Sequence, residues 1–221
     1  MKWPIYKGDY QFGSEDNPIC INSLGTQFKN ISNEYFSVLG RCMTENIGIE
    51  KILINIVSNP NIRYVILCGE EVQGHIPGMT FKALYEHGLD GNGKIINAPG
   101  AIPYIENLSK EIIEEFPNQV EIIDMIGVTD EEAIMSKAKE LLARKPEQYS
   151  PKIDINSLLK EEKEEVQAAE DYVSLTDVKL LITAINTKLD ILSRMNSNKL
   201  DSFVLGYIMG GILLILMLGA V

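Results

Sequence analysis

The sequence predicts an α/β protein: a Rossmann-like, doubly wound sheet, followed by a polar stalk with an amphipathic helix and one C-terminal transmembrane helix. Three observations predict it. Short β-rich runs alternate with helix-length segments from residue 19 to 145, the pattern of strands joined by helical crossovers. One of those runs, RYVILCG at 63–69, is continuously apolar in the manner of a strand buried on both faces. The segment FVLGYIMGGILLILMLGAV at 203–221 holds no charged side chain.

The elements follow in order. PICINSLG is a first strand, ending at Gly25, and the helix-like IGIEKILINIVSNP of 47–60 stops at Asn59-Pro60. The strand at 63–69 leads into EEVQGHIPG and then into a helix, MTFKALYEHG, with Gly88 as its C-cap. KIINA (94–98) reads as another strand, followed by a Gly/Pro loop through Pro103 and a helix ending near Phe116-Pro117. VEIIDMIG (120–127) is a further strand. Thr129 and Glu132 then form a capping box before a helix that runs to about Lys145.

Beyond that point the composition changes. Pro146 and Pro151 flank a polar stretch, and KEEKEEVQAAED at 160–171 is densely acidic, a solvated stalk. Ser174 and Asp177 cap a helix on which Leu175, Val178, Ile182, Ile185, Leu189 and Leu192 recur at steps of three and four. That seam has no domain of its own and calls for a partner chain or a second copy. The organisation is therefore an α/β domain at 1–150, an acidic linker at 151–172, a heptad helix at 173–200 and an anchor at 201–221.

Composition narrows the function. Lys and Arg total 20 against 31 Asp and Glu, a formal net charge of -11, which argues against a nucleic-acid partner. Cys20, Cys42 and Cys68 form no C-x-x-C pair, and with no signal peptide they fit a reducing cytosol. At 1.5 Å per residue the apolar tail spans about 28 Å, close to the hydrocarbon core of a bilayer. Arg194 and Lys199 precede it and nothing basic follows, so the large N-terminal part stays cytoplasmic on a single-pass anchor in the cell membrane. The anchor has no ionisable group with which to carry an ion.

One motif is a decoy. Gly88 to Lys94 matches G-x-x-x-x-G-K, but Ile95 stands where a phosphate loop needs Ser or Thr, and the stretch follows a helix end. It is a turn built on Asp90-Gly91 and Asn92-Gly93. No G-x-G-x-x-G follows a strand, which weakens a nicotinamide or flavin reading.

Two histidines remain. His87, in the last turn of its helix, has a sufficient role against the negative helix end. His75 lies between Gly74 and Pro77-Gly78, in a loop after a strand, where open α/β sheets receive ligands. Such a loop lets a flat ligand approach the backbone. Gly25, Gly69, Pro99 and Gly100 lie near other strand ends and are further candidate contacts, with Gly74 and Gly78 beside the histidine. A local hydrogen-bonding role for His75 stands equally on the residues alone.

The stretch TENIGIEKILINIVSNPNIRYVILCGEEVQGHIPGMTFKALYEHGLDGNGKIINAPGAIPYIENL (44–108), and above all EVQGHIPG, closely resembles the A subunit of tetrahydromethanopterin S-methyltransferase, the membrane methyltransferase complex of methanogenic archaea. The resemblance covers nearly the whole chain, anchor included. It implies a corrinoid protein carrying 5-hydroxybenzimidazolylcobamide, with His75 as an axial cobalt ligand. The implied reaction moves a methyl group from N5-methyl-tetrahydromethanopterin to coenzyme M via methylcob(III)amide, coupled to sodium transport, with the other subunits as partners. Two departures stand out. Met43 occupies a position where the family often has histidine, and Gln73 stands where the D-x-H-x-x-G pattern of cobamide-binding domains has aspartate. Glu70 and Glu71 are the nearby acids able to take that aspartate's place behind the imidazole. A tail-anchored adaptor without a cofactor, recruiting partners through 175–192, is the alternative of a different class.

Overall fold

In the computed structural model the described residues are 3–151, 182 and 185–188. The chain divides into two units, 1–163 and 164–221. The first holds a mixed five-stranded sheet. Its strands are β1 (Tyr10–Phe12), β2 (Ile19–Asn22), β3 (Val38–Gly40), β4 (Tyr64–Gly69) and β5 (Glu121–Ile126), in the spatial order β1-β3-β2-β4-β5. The last four in space run parallel, and β1 pairs antiparallel with β3 at the edge. Four helices accompany them: α1 (Ile47–Val57), α2 (Pro77–His87), α3 (Lys110–Gln119) and α4 (Glu131–Ala143).

Side-chain alternation along the strands sets two layers. On one face Cys20, Val38, Val65 and Leu67 pack with α1, α2 and α3, through residues such as Leu53, Phe81 and Phe116. On the other, Ile19, Ile21, Leu39 and Ile66 pack with Ile134, Ala138 and Leu141 of α4. All six residues of β4 are buried, which is why its sequence shows no alternation. Helices on both faces of a largely parallel sheet make the doubly wound arrangement expected.

The order places a switch point between β2 and β4. The chain leaves β2 for β3 on one side, and leaves β4 for β5 on the other. The crevice beyond the carboxyl ends of two such strands is where open α/β sheets hold ligands.

Several elements differ from the sequence reading. KIINA is not a sheet strand: residues 89–105 make only isolated bridges, Leu89 with Ile95 and Lys94 with Tyr104. There Asp90 Oδ1 accepts from the backbone N–H groups of Asn92 and Lys94, and this turn dictates the backbone more than β-branched side chains do. The first strand of the sheet is β1, and PICINSLG contributes only Ile19–Asn22. The N-cap of α4 is Asp130, whose carboxylate accepts from Glu132 N–H, in place of the Thr129 capping box. Helix α1 ends at Val57, and α3 continues past Pro117 to Gln119.

Among the described residues no helix is long and apolar enough to cross a membrane, and the predicted anchor lies outside them. Of the predicted heptad helix, residues 182 and 185–188 are helical, and the remainder lies outside the described residues, as does the linker beyond 151.

Candidate functional site

The loop between β4 and α2 is shaped by two left-handed residues. Gly74 has φ +85, with open space where a Cβ would stand. Ile76 has φ 46 and ψ 54 and forms the N-cap position of α2. Between them, His75 and Ile76 both donate their backbone N–H to Val72 O, at 3.1 and 2.9 Å. The helix side of the loop is fixed: Pro77 and Gly78 are buried, and the Glu71 carboxylate accepts from Gly78 and Met79 N–H at 2.9 and 2.7 Å. Glu71 therefore caps α2 and is not the partner of the imidazole. Glu70 is exposed and is not that partner either.

The partner is Glu45, just before α1. His75 Nδ1 donates to Glu45 Oε2 at 2.7 Å, and Glu45 Oε1 accepts from Ile102 N–H at 2.7 Å. The carboxylate side chain is 2% exposed and the imidazole 50%. Burial pushes the Glu45 carboxyl up, but the Ile102 N–H, its own backbone N–H and His75 outweigh it and hold it below the usual carboxylate value. A carboxylate that stays ionised can only accept, so Nδ1 carries the proton, and in the neutral ring the lone pair lies on Nε2. No hydrogen bond engages Nε2 among the described residues.

Gly100 completes the enclosure. A Cβ there would lie 2.7 Å from Glu45 Cγ and 2.8 Å from His75 O, so only glycine lets the 96–103 loop close on the pair. Four apolar side chains close to these residues in sequence are exposed. Ile102 follows two residues after Gly100, Met43 and Ile47 flank Glu45, and Met79 lies one turn into α2. Met43, Thr44 and Ile47 line a cavity of about 260 Å³ together with Trp3, Tyr6 and Tyr10, whereas Glu45 turns to His75.

The other predicted contacts divide. Pro99 is exposed on the same loop as Gly100. Gly25 and Gly69 close the crevice itself: Gly25 donates to Glu70 O, and a Cβ on Gly69 would lie 2.5 Å from Ser23 O. Gly78 packs under Glu71, Leu24 and Ile126. His87 ends α2, 3.8 Å from Glu86 and far in sequence from these contacts. Glu45 is the residue that sequence reasoning missed. It stands in the Thr-Glu-Asn triplet beside Met43, thirty positions from His75, and nothing in one sequence marks which of many glutamates is buried.

Chemically, the arrangement is a single imidazole donor with a polarising carboxylate behind it. Among the described residues no group of three or more His, Cys, Asp or Glu could hold a metal ion.

Comparison with known proteins gives a consistent outcome. A family model described as the A subunit of tetrahydromethanopterin S-methyltransferase matches residues 1–167. The A 1 subunit of this methyltransferase from Methanothermobacter marburgensis is 37% identical over 92% of this chain and 90% of the relative. The A subunit from Methanosphaera stadtmanae is 38% identical over 99% and 96%. The A 2 subunit from Methanobrevibacter ruminantium is 47% identical over 65% and 76%.

Proposed function

The chain belongs to the family of tetrahydromethanopterin S-methyltransferase A subunits, and from that premise we propose that it is the cobamide-carrying member of the complex, with His75 as axial cobalt ligand. Membership makes it one subunit of a methyltransferase complex, and the other subunits are its partners. The group in question is 5-hydroxybenzimidazolylcobamide. The observation that carries the reading is the hydrogen bond between buried Glu45 and half-exposed His75. It leaves the second imidazole nitrogen free to act as a donor to a metal.

When bound, the cobamide supplies the cobalt centre through which a methyl group passes from methyl-tetrahydromethanopterin to coenzyme M. The residues of this chain do the rest. Neutral imidazole is a ligand of borderline softness, and Glu45 raises its basicity through Nδ1. Exposed Ile102 and Met79 would offer the cobamide apolar contact, and Gly74, with open space where a Cβ would stand, would let it approach the loop backbone closely. Sodium movement and the membrane location belong to the same proposal. The apolar tail at 203–221 would anchor the domain on the cytoplasmic side, and the ion path would lie in other subunits, because that tail carries no ionisable group.

The test is electron paramagnetic resonance of the Co(II) form of the full chain loaded with cobamide. Nitrogen splitting from an axial imidazole is expected, changing from triplet to doublet when histidine is labelled with ¹⁵N, and disappearing in His75→Ala. A spectrum indifferent to both changes overturns the ligation. A chain that stays colourless after reconstitution favours the adaptor instead.

A further inference from the structure

The joint that aims His75 is Ile76, and its backbone is the least expected in the domain. A β-branched residue at φ 46 is an outlier, since its Cβ crowds the adjacent carbonyl. The next residue is Pro77, which pushes the residue before it towards extended backbone. Two local preferences thus oppose the observed turn. Strain of this kind persists only where the surroundings over-determine it.

The surroundings do so from both sides. Downstream, Pro77 and Gly78 are buried, Glu71 clamps Gly78 and Met79, and Thr80 N–H reaches Ile76 O at 3.1 Å. Upstream, Ile76 N–H is tied to Val72 O, but Gly74 touches nothing where its Cβ would be. Between a fixed helix end and an open glycine, the φ and ψ of residue 76 decide where the imidazole points. An extended residue 76 would carry the ring off Glu45.

We propose that Ile76 is the positioning residue for His75: its left-handed backbone seats the imidazole on Glu45, and its half-buried side chain holds a turn that the backbone alone disfavours. The consequence for metal ligation rests on the reading of His75 as a ligand; the seating itself does not.

Two variants of the full chain separate backbone from side chain. Ile76→Gly and Ile76→Ala both delete the side chain's packing, but only glycine adopts the left-handed turn without cost. At an ordinary position glycine is the less stable of the two. Here Ile76→Gly should melt about 2–4 °C above Ile76→Ala. It should also keep the low-field Nδ1 proton resonance of His75, which Ile76→Ala loses to exchange. With aquocobinamide, a corrinoid lacking a nucleotide base, Ile76→Gly should bind within about twofold of the parent and Ile76→Ala about tenfold more weakly. Ile76→Val, which retains the branched side chain, should restore parent behaviour in all three. An alanine variant as stable as the glycine one, or one with its imidazole resonance intact, overturns the proposal. If the parent chain takes no cobinamide through His75, the cobamide reading fails, while the melting and resonance comparisons still decide the role of Ile76.

Discussion

At the scale of single residues, the site depends on how closely a side chain is allowed to approach. Gly100 has its would-be Cβ 2.7 Å from Glu45 Cγ and 2.8 Å from His75 O, and both neighbours are pinned by hydrogen bonds, so neither can give way cheaply. Gly100→Ala is expected to cost about 1–3 kcal/mol, the range for overpacking a filled site, and to lengthen the Glu45–His75 bond. Chemical denaturation measures the first and the His75 Nδ1 proton resonance the second. Sequence reading found both His75 and Gly100, because a loop histidine between glycine and proline after a strand is a local pattern. It had no route to Glu45, whose importance comes from burial and from the loop at 102 folding back onto it. It named Glu70 and Glu71 as substitutes because they are neighbours in sequence, yet the turn at 72–76 points Glu71 into the helix end.

At the scale of elements, α2 owes its start to that same Glu71 carboxylate. Ile76 makes no side-chain cap, and Glu71 satisfies two N–H groups that would otherwise be orphaned at the helix end. Glu71→Ala should cost about 0.5–2 kcal/mol, as for other caps. It should also speed hydrogen exchange at Gly78 and Met79 relative to the second half of α2, which exchange mass spectrometry or NMR would follow. The longer elements α1, α2, β4 and β5 were legible from sequence, the helices by their spacing and β4 by its unbroken apolar run. The three-residue strands β1 and β3 were not, because so short a run carries no period. Helix α3 outlasts its proline for a tertiary reason: Gln119 Nε2 donates to the carbonyls of Ile56, Asn59 and Ile62. Those three bonds draw the end of α3 onto the end of α1, and a local rule about proline cannot anticipate them.

At the scale of the molecule, the doubly wound sheet was legible from alternation alone, but the ties across it were not, and three of them are carboxylates with one shared behaviour. Glu45 joins the 75 and 102 loops. Asp124 on β5 pairs with Lys82 on α2, and Glu131 at the start of α4 accepts from the backbone N–H groups of Lys29 and Asn30. Burial raises each of them, least at Glu131, but their donors prevail, and all three lie below their ordinary values of 4.5, 3.8 and 4.5. A lowered value means that folding favours the ionised form. The stability contributed is full above those ordinary values and is lost as pH falls through the lower folded ones. Urea midpoints should therefore hold steady from pH 7 to 5 and drop below about pH 4, with a shallower drop in a Glu45→Gln, Asp124→Asn, Glu131→Gln variant. Salt separates the contributions. Asp124 faces solvent beside the Lys82 ammonium, and its share of the drop should shrink as ionic strength rises towards 1 M, where the screening length is about 3 Å, whereas Glu131 is held by uncharged N–H donors and keeps its share. Glu45 is enclosed, so the part of the drop that survives high salt should be smaller in Glu45→Gln than in the parent, and smallest when Glu131→Gln is added. If salt abolishes the whole pH dependence, the buried carboxylate is not ionised in the folded chain, and the tautomer assigned to His75 falls with it.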